Sequence, residues 1–136
     1  VSGQPDEWTQ ALRDYGYNFG MAFQIVDDIL DFTGDEDQMG KPVGSDLMQG
    51  TLTLPSLLLL ERSPKNNPVQ KYFARSTRER LAEAVQFVLD SGGAEESYEM
   101  ARDFARRAVE ALDVLPDLGD RQTLRDLTEY ILERRT

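Results

Sequence analysis

The 136-residue sequence contains no cysteine and no histidine. Without cysteine it has no disulfide framework and no thiolate zinc site, and without histidine it has no histidine-based catalytic triad. The longest aliphatic run, "LLLL" at residues 57–60, is far shorter than a membrane span. No secretory signal is visible in the sequence. These features favour a protein of a reducing compartment, and we expect a cytoplasmic location.

Basic residues are scarce in the first part of the sequence. Residues 1–50 hold ten acidic and two basic residues, whereas residues 51–136 hold fifteen and thirteen, and the whole chain carries a net charge of -10. Nucleic acid is excluded as an expected partner, because its phosphates need a basic surface. A cation, or an anion that arrives with cations, suits this chain better.

The spacing of apolar residues predicts an all-α protein, a bundle of about five helices in a single domain over residues 1–136. A first helix from about Trp8 to Thr33 is followed by a glycine-rich loop over residues 34–50. A later helix is predicted from Arg78 to Asp90, with Gly92 and Gly93 stopping it. Buried positions are expected at helical spacing, at Leu57 to Leu60, Leu81, Ala84, Val85, Val88, Leu89, Ala94, Tyr98, Ala101, Ala105, Ala108, Leu112, Leu124, Leu127, Ile131 and Leu132.

The first helix carries its acidic residues on one narrow arc. At 100° per residue, apolar side chains that include Phe23 and Phe32 fill about half of its circumference. Gln24 and the acids at 27, 28 and 31 lie on the opposite side. From Asp14 to Gly40 there are seven carboxylates and no lysine or arginine. Like charges this close repel, so the pattern predicts a positive partner from outside the chain.

Converging carboxylates without a base are typical of a site for a hard divalent cation. Asp27 and Asp31 are one helical turn apart, and Asp28 lies beside them. Mg²⁺ takes oxygen ligands and often shares its coordination shell with substrate phosphates, and Mn²⁺ can replace it. We therefore predict a metal site at Asp27, Asp28 and Asp31. The alternative is that these acids form an ordinary solvated face.

The loop that follows carries the first base after the acids. Lys41, in "MGKPVGSD", is a mobile point charge suited to a phosphate oxygen. Asp46 closes the same segment and is expected either to contact the metal shell or to hold Lys41 in place. The alternative is that the glycines of this loop are ordinary turns.

Residues 20–55, "GMAFQIVDDILDFTGDEDQMGKPVGSDLMQGTLTLP", resemble the second aspartate-rich region of the trans-isoprenyl diphosphate synthases, or polyprenyl synthetases. Three elements match at the right spacing: the Phe-Gln-Ile-x-Asp-Asp-Ile-Leu-Asp segment, the Gly-Lys-Pro-x-Gly-x-Asp-Leu loop and the Thr-Leu-Pro. The helices on either side also fit. The resemblance implies the C-terminal half of an all-α isoprenoid synthase fold.

Members of this family condense an allylic diphosphate with isopentenyl diphosphate. Mg²⁺ ions draw charge onto the leaving diphosphate, the carbon–oxygen bond ionises, and the double bond of isopentenyl diphosphate attacks the cation. The resemblance implies catalytic roles for Asp27, Asp28 and Lys41, and metal binding by Asp27, Asp28 and Asp31. It implies substrate binding by Phe23, Gln24, Lys41 and Asp46.

The sequence also departs from the family. Members are much longer, and their first aspartate-rich motif and isopentenyl diphosphate site have no counterpart here. Thr51 stands where many members carry a lysine. We therefore expect the chain to be inactive alone and either to self-associate or to need the missing N-terminal half. The alternative is a non-catalytic or regulatory subunit. The "GKPVGSDL" loop disfavours a squalene-, phytoene- or terpene-synthase type.

Overall fold

The computed structural model describes residues 6–117 and 119–134, which form helices and no strand. The all-α prediction is therefore confirmed for this part of the chain. Its α-helices are α1 (Asp6–Thr33), α2 (Glu36–Met39), α3 (Ser45–Met48), α4 (Leu54–Arg62), α5 (Pro68–Ala74), α6 (Arg78–Asp90), α7 (Gly93–Ala111) and α8 (Gly119–Glu133), and a 3-10 turn covers Leu112–Val114. None of the described helices combines the length and the apolar character needed to cross a bilayer.

The described chain divides into two compact units. The continuous unit consists of residues 27–98, and the discontinuous unit combines residues 6–26 with residues 99–134. Helices α1 and α7 each contribute residues to both units. That residues 1–136 form a single domain stays a prediction.

The continuous unit has a core built from the last turn of α1 and from α3 to α6. Its buried members are Phe32, Leu47, Leu59, Val69, Tyr72, Ala84, Val85 and Val88. Thr53 occupies the N-cap position of α4 without a side-chain cap bond, and Pro55 is tolerated in the first turn of that helix because the N–H it lacks has no helical partner there. Gly93 packs tightly on this turn, since a Cβ at residue 93 would lie 2.7 Å from the carbonyl oxygen of Pro55.

The discontinuous unit packs α1 against small residues of α7 and against α8. Ala105 and Ala108 are almost fully buried, which lets the apolar side chains of α1 and α8 approach the backbone of α7 closely. Tyr15 links α1 to α8 within this unit. Its hydroxyl donates to the carbonyl oxygen of Leu124 at 2.9 Å and lies 3.1 Å from Oγ1 of Thr128.

Three short helices were not predicted from the sequence. Helices α2 and α3 are single turns inside the predicted 34–50 loop. Helix α5 was not predicted, although Asn67 caps it by accepting from the backbone N–H of Gln70 at 2.9 Å, and Pro68 occupies its first position. Such short helices show no apolar period long enough to detect. The prediction that both Gly92 and Gly93 stop a helix was half wrong, because Gly93 begins α7.

Burial follows the predicted faces with three exceptions. Phe23, Leu57 and Leu127 are 40%, 47% and 44% exposed, so their prediction as buried residues was wrong. Each belongs to an apolar arc wider than the surface that its neighbours cover within the described residues. By contrast, Ala101 and Leu112 of the predicted α7 seam are fully buried.

Candidate functional site

The three aspartates of α1 differ sharply in exposure. Asp27 is exposed, Asp28 is partly buried and Asp31 is completely buried. The predicted single acidic patch on the helix surface is therefore wrong for Asp31. Helix α1 brings Asp31 to the continuous unit, where the segment after Gly40 covers it.

Asp31 accepts hydrogen bonds from three consecutive residues of that segment. Its backbone carbonyl accepts from the N–H of Gly44 at 2.9 Å. Its Oδ1 accepts from the hydroxyl of Ser45 at 2.8 Å, and its Oδ2 accepts from the N–H of Asp46 at 3.2 Å. These bonds hold the start of α3 against the end of α1.

Lys41 completes this cluster. Its Nζ lies 3.5 Å from Oδ1 of Asp31, and its side chain is 42% exposed. The ammonium group is therefore paired on one side and open to solvent on the other. The structure thus brings together Asp31, Lys41 and Asp46, three residues that the sequence singled out.

Asp46 lies in the electrostatic field of the other acids. Burial raises its pKa above the ordinary value, the negative charges of Asp31 and Asp27 raise it further, and the positive charge of Lys41 opposes them. Asp27 and Asp46, nineteen positions apart in the sequence, therefore act on one another. A divalent cation near them would relieve this repulsion.

The structure adds two residues that sequence reasoning missed. Ser45 donates to Asp31, and Glu36 accepts at Oε1 from the N–H of Val43 at 3.0 Å. The only sequence signal for Ser45 is its place beside Gly44 and Asp46 in the quoted loop. A serine hydroxyl at this position can donate a hydrogen bond to a carboxylate, but the sequence does not identify the carboxylate that accepts it.

Phe23 and Gln24 belong to the discontinuous unit. Both side chains are exposed, and the guanidinium carbon of Arg134 lies 4.6 Å from the centre of the Phe23 ring. This is a cation–π distance. Substrate binding by these two residues stays a prediction.

Within the described residues, no group of three or more acidic side chains is gathered closely enough to hold a metal ion. The carboxylate of Asp31 points into the loop contacts described above rather than to solvent. The metal roles of Asp27, Asp28 and Asp31 stay predictions.

Comparison with known proteins decides the family. The family model of polyprenyl synthetase matches residues 1–89. The chain belongs to the polyprenyl synthetase family. The family resemblance predicted from the sequence is therefore confirmed.

Relatives of known sequence include prenyl diphosphate synthases of plants and bacteria. The chain is 42% identical over 132 residues to solanesyl diphosphate synthase 1, chloroplastic, of Arabidopsis thaliana, covering 96% of this chain and 32% of that protein. It is 35% identical over 135 residues to heptaprenyl diphosphate synthase component 2 of Bacillus subtilis, covering 99% of this chain and 39% of that protein. The chain thus spans about a third to two fifths of the length of these synthases.

A solved member of the polyprenyl synthetase family shares the fold. The polyprenyl synthase of Caulobacter crescentus, crystallised with calcium and isoprenyl diphosphate, matches with a TM-score of 0.88 at 33% identity. The match covers 98% of this chain and 42% of that one. The predicted isoprenoid synthase fold class is therefore confirmed.

The raised pKa of Asp46 predicts a pH-dependent stability change. A carboxyl whose pKa is higher in the folded chain stabilises the fold fully below its unfolded value, near 3.8, and loses that contribution as the pH rises through its folded value. In metal-free buffer, Asp46→Asn should therefore raise the free energy of unfolding at pH 7 by on the order of 0.5 kcal/mol. The gain should disappear below pH 3.8.

Urea unfolding at several pH values measures this difference. Asp37→Asn is the matched control, because it removes the same charge from an exposed position of α2. An equal gain in both variants would assign the effect to the net charge of -10 instead of to the neighbours of Asp46.

Proposed function

We propose that this chain is part of a prenyltransferase that condenses isopentenyl diphosphate with an allylic diphosphate. The observation that carries the proposal is the folding of the loop that holds Lys41 and Asp46 onto Asp31 at the end of α1. It joins two segments that the family match also contains. The Caulobacter crescentus relative supports the substrate class, since it was crystallised with isoprenyl diphosphate.

The exposed acids fit a divalent cation. Asp27 is open to solvent, and its charge acts on Asp46, whose carboxylate is already disfavoured by burial. We propose that Asp27 and Asp28, with Asp46 near them, hold Mg²⁺ together with the diphosphate oxygens, because this ion is usually bound by one or two carboxylates and by substrate phosphates. Asp31, which the sequence predicts as a third ligand, has both carboxylate oxygens engaged by the loop. When bound, the ion supplies charge stabilisation to the leaving diphosphate. Calcium in the crystals of the Caulobacter relative supports divalent metal use.

Lys41 is proposed to bind a diphosphate oxygen. Its Nζ pairs with Oδ1 of Asp31 at 3.5 Å, and its side chain is 42% exposed. A diphosphate carries more negative charge than one carboxylate, so the ammonium group would turn toward it while the backbone of the loop stays in place. Lysine suits this task as a flexible point charge. Phe23 and Gln24 are proposed to contact the substrate.

Calorimetry with inorganic pyrophosphate and Mg²⁺ tests the proposal. The wild-type chain should bind the two together more tightly than either alone. Asp27→Ala and Lys41→Ala should each weaken the binding by about tenfold or more, equivalent to about 1.4 kcal/mol. Asp37→Ala is the matched control, since it removes an exposed acid of α2 and should leave the binding unchanged. Equal binding by all four proteins would instead indicate a solvated acidic face.

We expect no condensation activity from the 136-residue chain alone. The chain spans only 32–42% of the relatives described above and contains one aspartate-rich motif. An assay with radiolabelled isopentenyl diphosphate, Mg²⁺ and a short allylic diphosphate measures this. Turnover above the enzyme-free blank would show that a single motif is sufficient.

A subunit role is the second candidate. Its support is the name of the Bacillus subtilis relative, heptaprenyl diphosphate synthase component 2, which denotes one component of an enzyme. Under this proposal the chain would work together with a partner chain. The acids at 27, 28 and 46 and the lysine at 41 favour a catalytic over a purely regulatory component. The cytoplasmic location stays a prediction, because the Arabidopsis relative is a chloroplast protein by name.

A further inference from the structure

We propose that Asp31 is a positioning residue, which fixes the loop of residues 40–46 and thereby places Lys41 and Asp46. The consequence for diphosphate binding rests on the proposed function, whereas the anchoring of the loop does not. The evidence is the set of contacts that Asp31 makes, its burial and the packing behind the loop.

Both carboxylate oxygens of Asp31 are occupied by the loop. Oδ1 accepts from the hydroxyl of Ser45 at 2.8 Å and lies 3.5 Å from Nζ of Lys41, while Oδ2 accepts from the N–H of Asp46 at 3.2 Å. The backbone carbonyl of Asp31 adds a bond from the N–H of Gly44 at 2.9 Å. One residue therefore holds three consecutive residues and the lysine that precedes them.

The burial of Asp31 makes these contacts necessary. Its side chain is 0% exposed, and a buried carboxylate is strongly unfavourable unless it is paired and hydrogen-bonded. Hydrogen bonds to a charged acceptor are stronger than those between neutral groups. The loop therefore offsets the burial cost of Asp31, and Asp31 in turn fixes the loop. Asp27, four residues earlier, is exposed, so its carboxylate does not carry this burial cost.

The other side of the loop is also held. Gly44 has a left-handed backbone, with φ of 81°, and a Cβ at this residue would lie 2.8 Å from Cγ2 of Val85. The N–H of Val43 donates to Oε1 of Glu36 at 3.0 Å. With its backbone confined between Asp31 and Val85, the loop presents the long, 42% exposed side chain of Lys41 to a ligand.

Amide hydrogen exchange on the 136-residue chain tests the anchoring. In Asp31→Asn, the amides of Gly44 and Asp46 should exchange about tenfold faster than in the wild type. Gly44 is decisive, because its N–H bonds to a backbone carbonyl that the substitution retains, so it loses protection only if the loop moves. The amide of Val88 in α6 should be unchanged. Lys41 should also react faster with an acylating reagent.

Two further variants keep this test decisive. Ser45→Ala removes one contact of Asp31 without changing its charge, and it should accelerate the same two amides by about threefold. Asp37→Asn removes an exposed charge from α2 and should accelerate neither. Unchanged exchange at residues 44 and 46 in Asp31→Asn would overturn the proposal. So would equal acceleration at Val88, since Asp31 would then support the whole unit instead of the loop.

A mutant cycle shows whether Asp31 acts through the two side chains that it places. Asp31→Asn should weaken the binding of Mg²⁺ with inorganic pyrophosphate about tenfold in the wild type, but less than about twofold in a background with both Lys41→Ala and Asp46→Ala. A tenfold loss in both backgrounds would mean that Asp31 acts independently of these side chains, as a metal ligand would, and would overturn the positioning role. If the wild type binds no pyrophosphate, the proposed function fails, and hydrogen exchange alone decides the anchoring.

Discussion

Phe32→Ala is expected to lower the free energy of unfolding by about 3–5 kcal/mol. Phe32 is 2% exposed and shares the core of the continuous unit with Leu47, Val85 and their neighbours. Removing its ring costs the transfer free energy of the ring atoms and leaves a cavity that the rigid helices fill only in part. Because a domain is stable by roughly 5–15 kcal/mol in total, this is a large share. Urea denaturation measures it.

Phe73→Ala is the matched control, because Phe73 is 42% exposed and belongs to the same unit. Its ring contacts that of Tyr72, with centroids 5.7 Å apart, so we expect a loss of about 1 kcal/mol or less. Similar losses in both variants would contradict the core shown by the structure. Since Phe32 follows Asp31 directly, Phe32→Ala should also accelerate amide exchange at Asp46.

The chain is expected to self-associate at micromolar concentration. Helix α1 exposes four large apolar side chains within residues 6–26, namely Leu12, Tyr17, Met21 and Phe23. Between them, Gly16 and Gly20 would accept a Cβ without any contact within 4 Å. If association hides about 400 Å² per chain, the gain is on the order of 10 kcal/mol before the costs of association. The net charge of -10 opposes it, but salt screens surface charges beyond about 10 Å.

Light scattering over a concentration series measures the association. Leu12→Ser with Tyr17→Ser should weaken it at least about tenfold, because both side chains lie on the proposed contact face. Met48→Ser is the control, since Met48 is 51% exposed but belongs to the continuous unit. A compact monomer at all concentrations that binds no apolar dye would contradict the prediction, because it would show that this face does not drive association.

Sequence reasoning identified the residues of the candidate site better than their arrangement. The motif and its glycine-rich loop led to Asp27, Asp28, Asp31, Lys41 and Asp46, and the structure joins three of them. Helical periodicity placed Asp31 on an exposed arc, because it reports only the face of one helix. The burial of Asp31 comes from residues 44–46, which fold back over it. Contacts between residues thirteen to fifteen positions apart leave no periodic trace in the sequence.

The same limit explains the missed helix and the misplaced core residues. Helix α5 has seven residues, too few for an apolar period. Its only sequence signals are the N-cap residue Asn67 and the proline at its first position. Phe23 and Leu57 fit the apolar arcs of their helices, but within the described residues their neighbours cover them only in part. The long helices α6 and α7 were predicted well, because each repeats its apolar pattern over several turns.

The division of the chain has a consequence for how it folds on the ribosome. Residues 27–98 are contiguous, so this unit can form as soon as they leave the exit tunnel, whereas residues 6–26 must wait for residues 99–134. The bond from Tyr15 to Leu124 spans 109 positions. At about 5–20 residues per second, the apolar face of residues 6–26 waits several seconds for the cover that residues 99–134 provide. In a nascent chain, residues 6–26 are therefore more open to chaperones, and to misassembly, than residues 27–98.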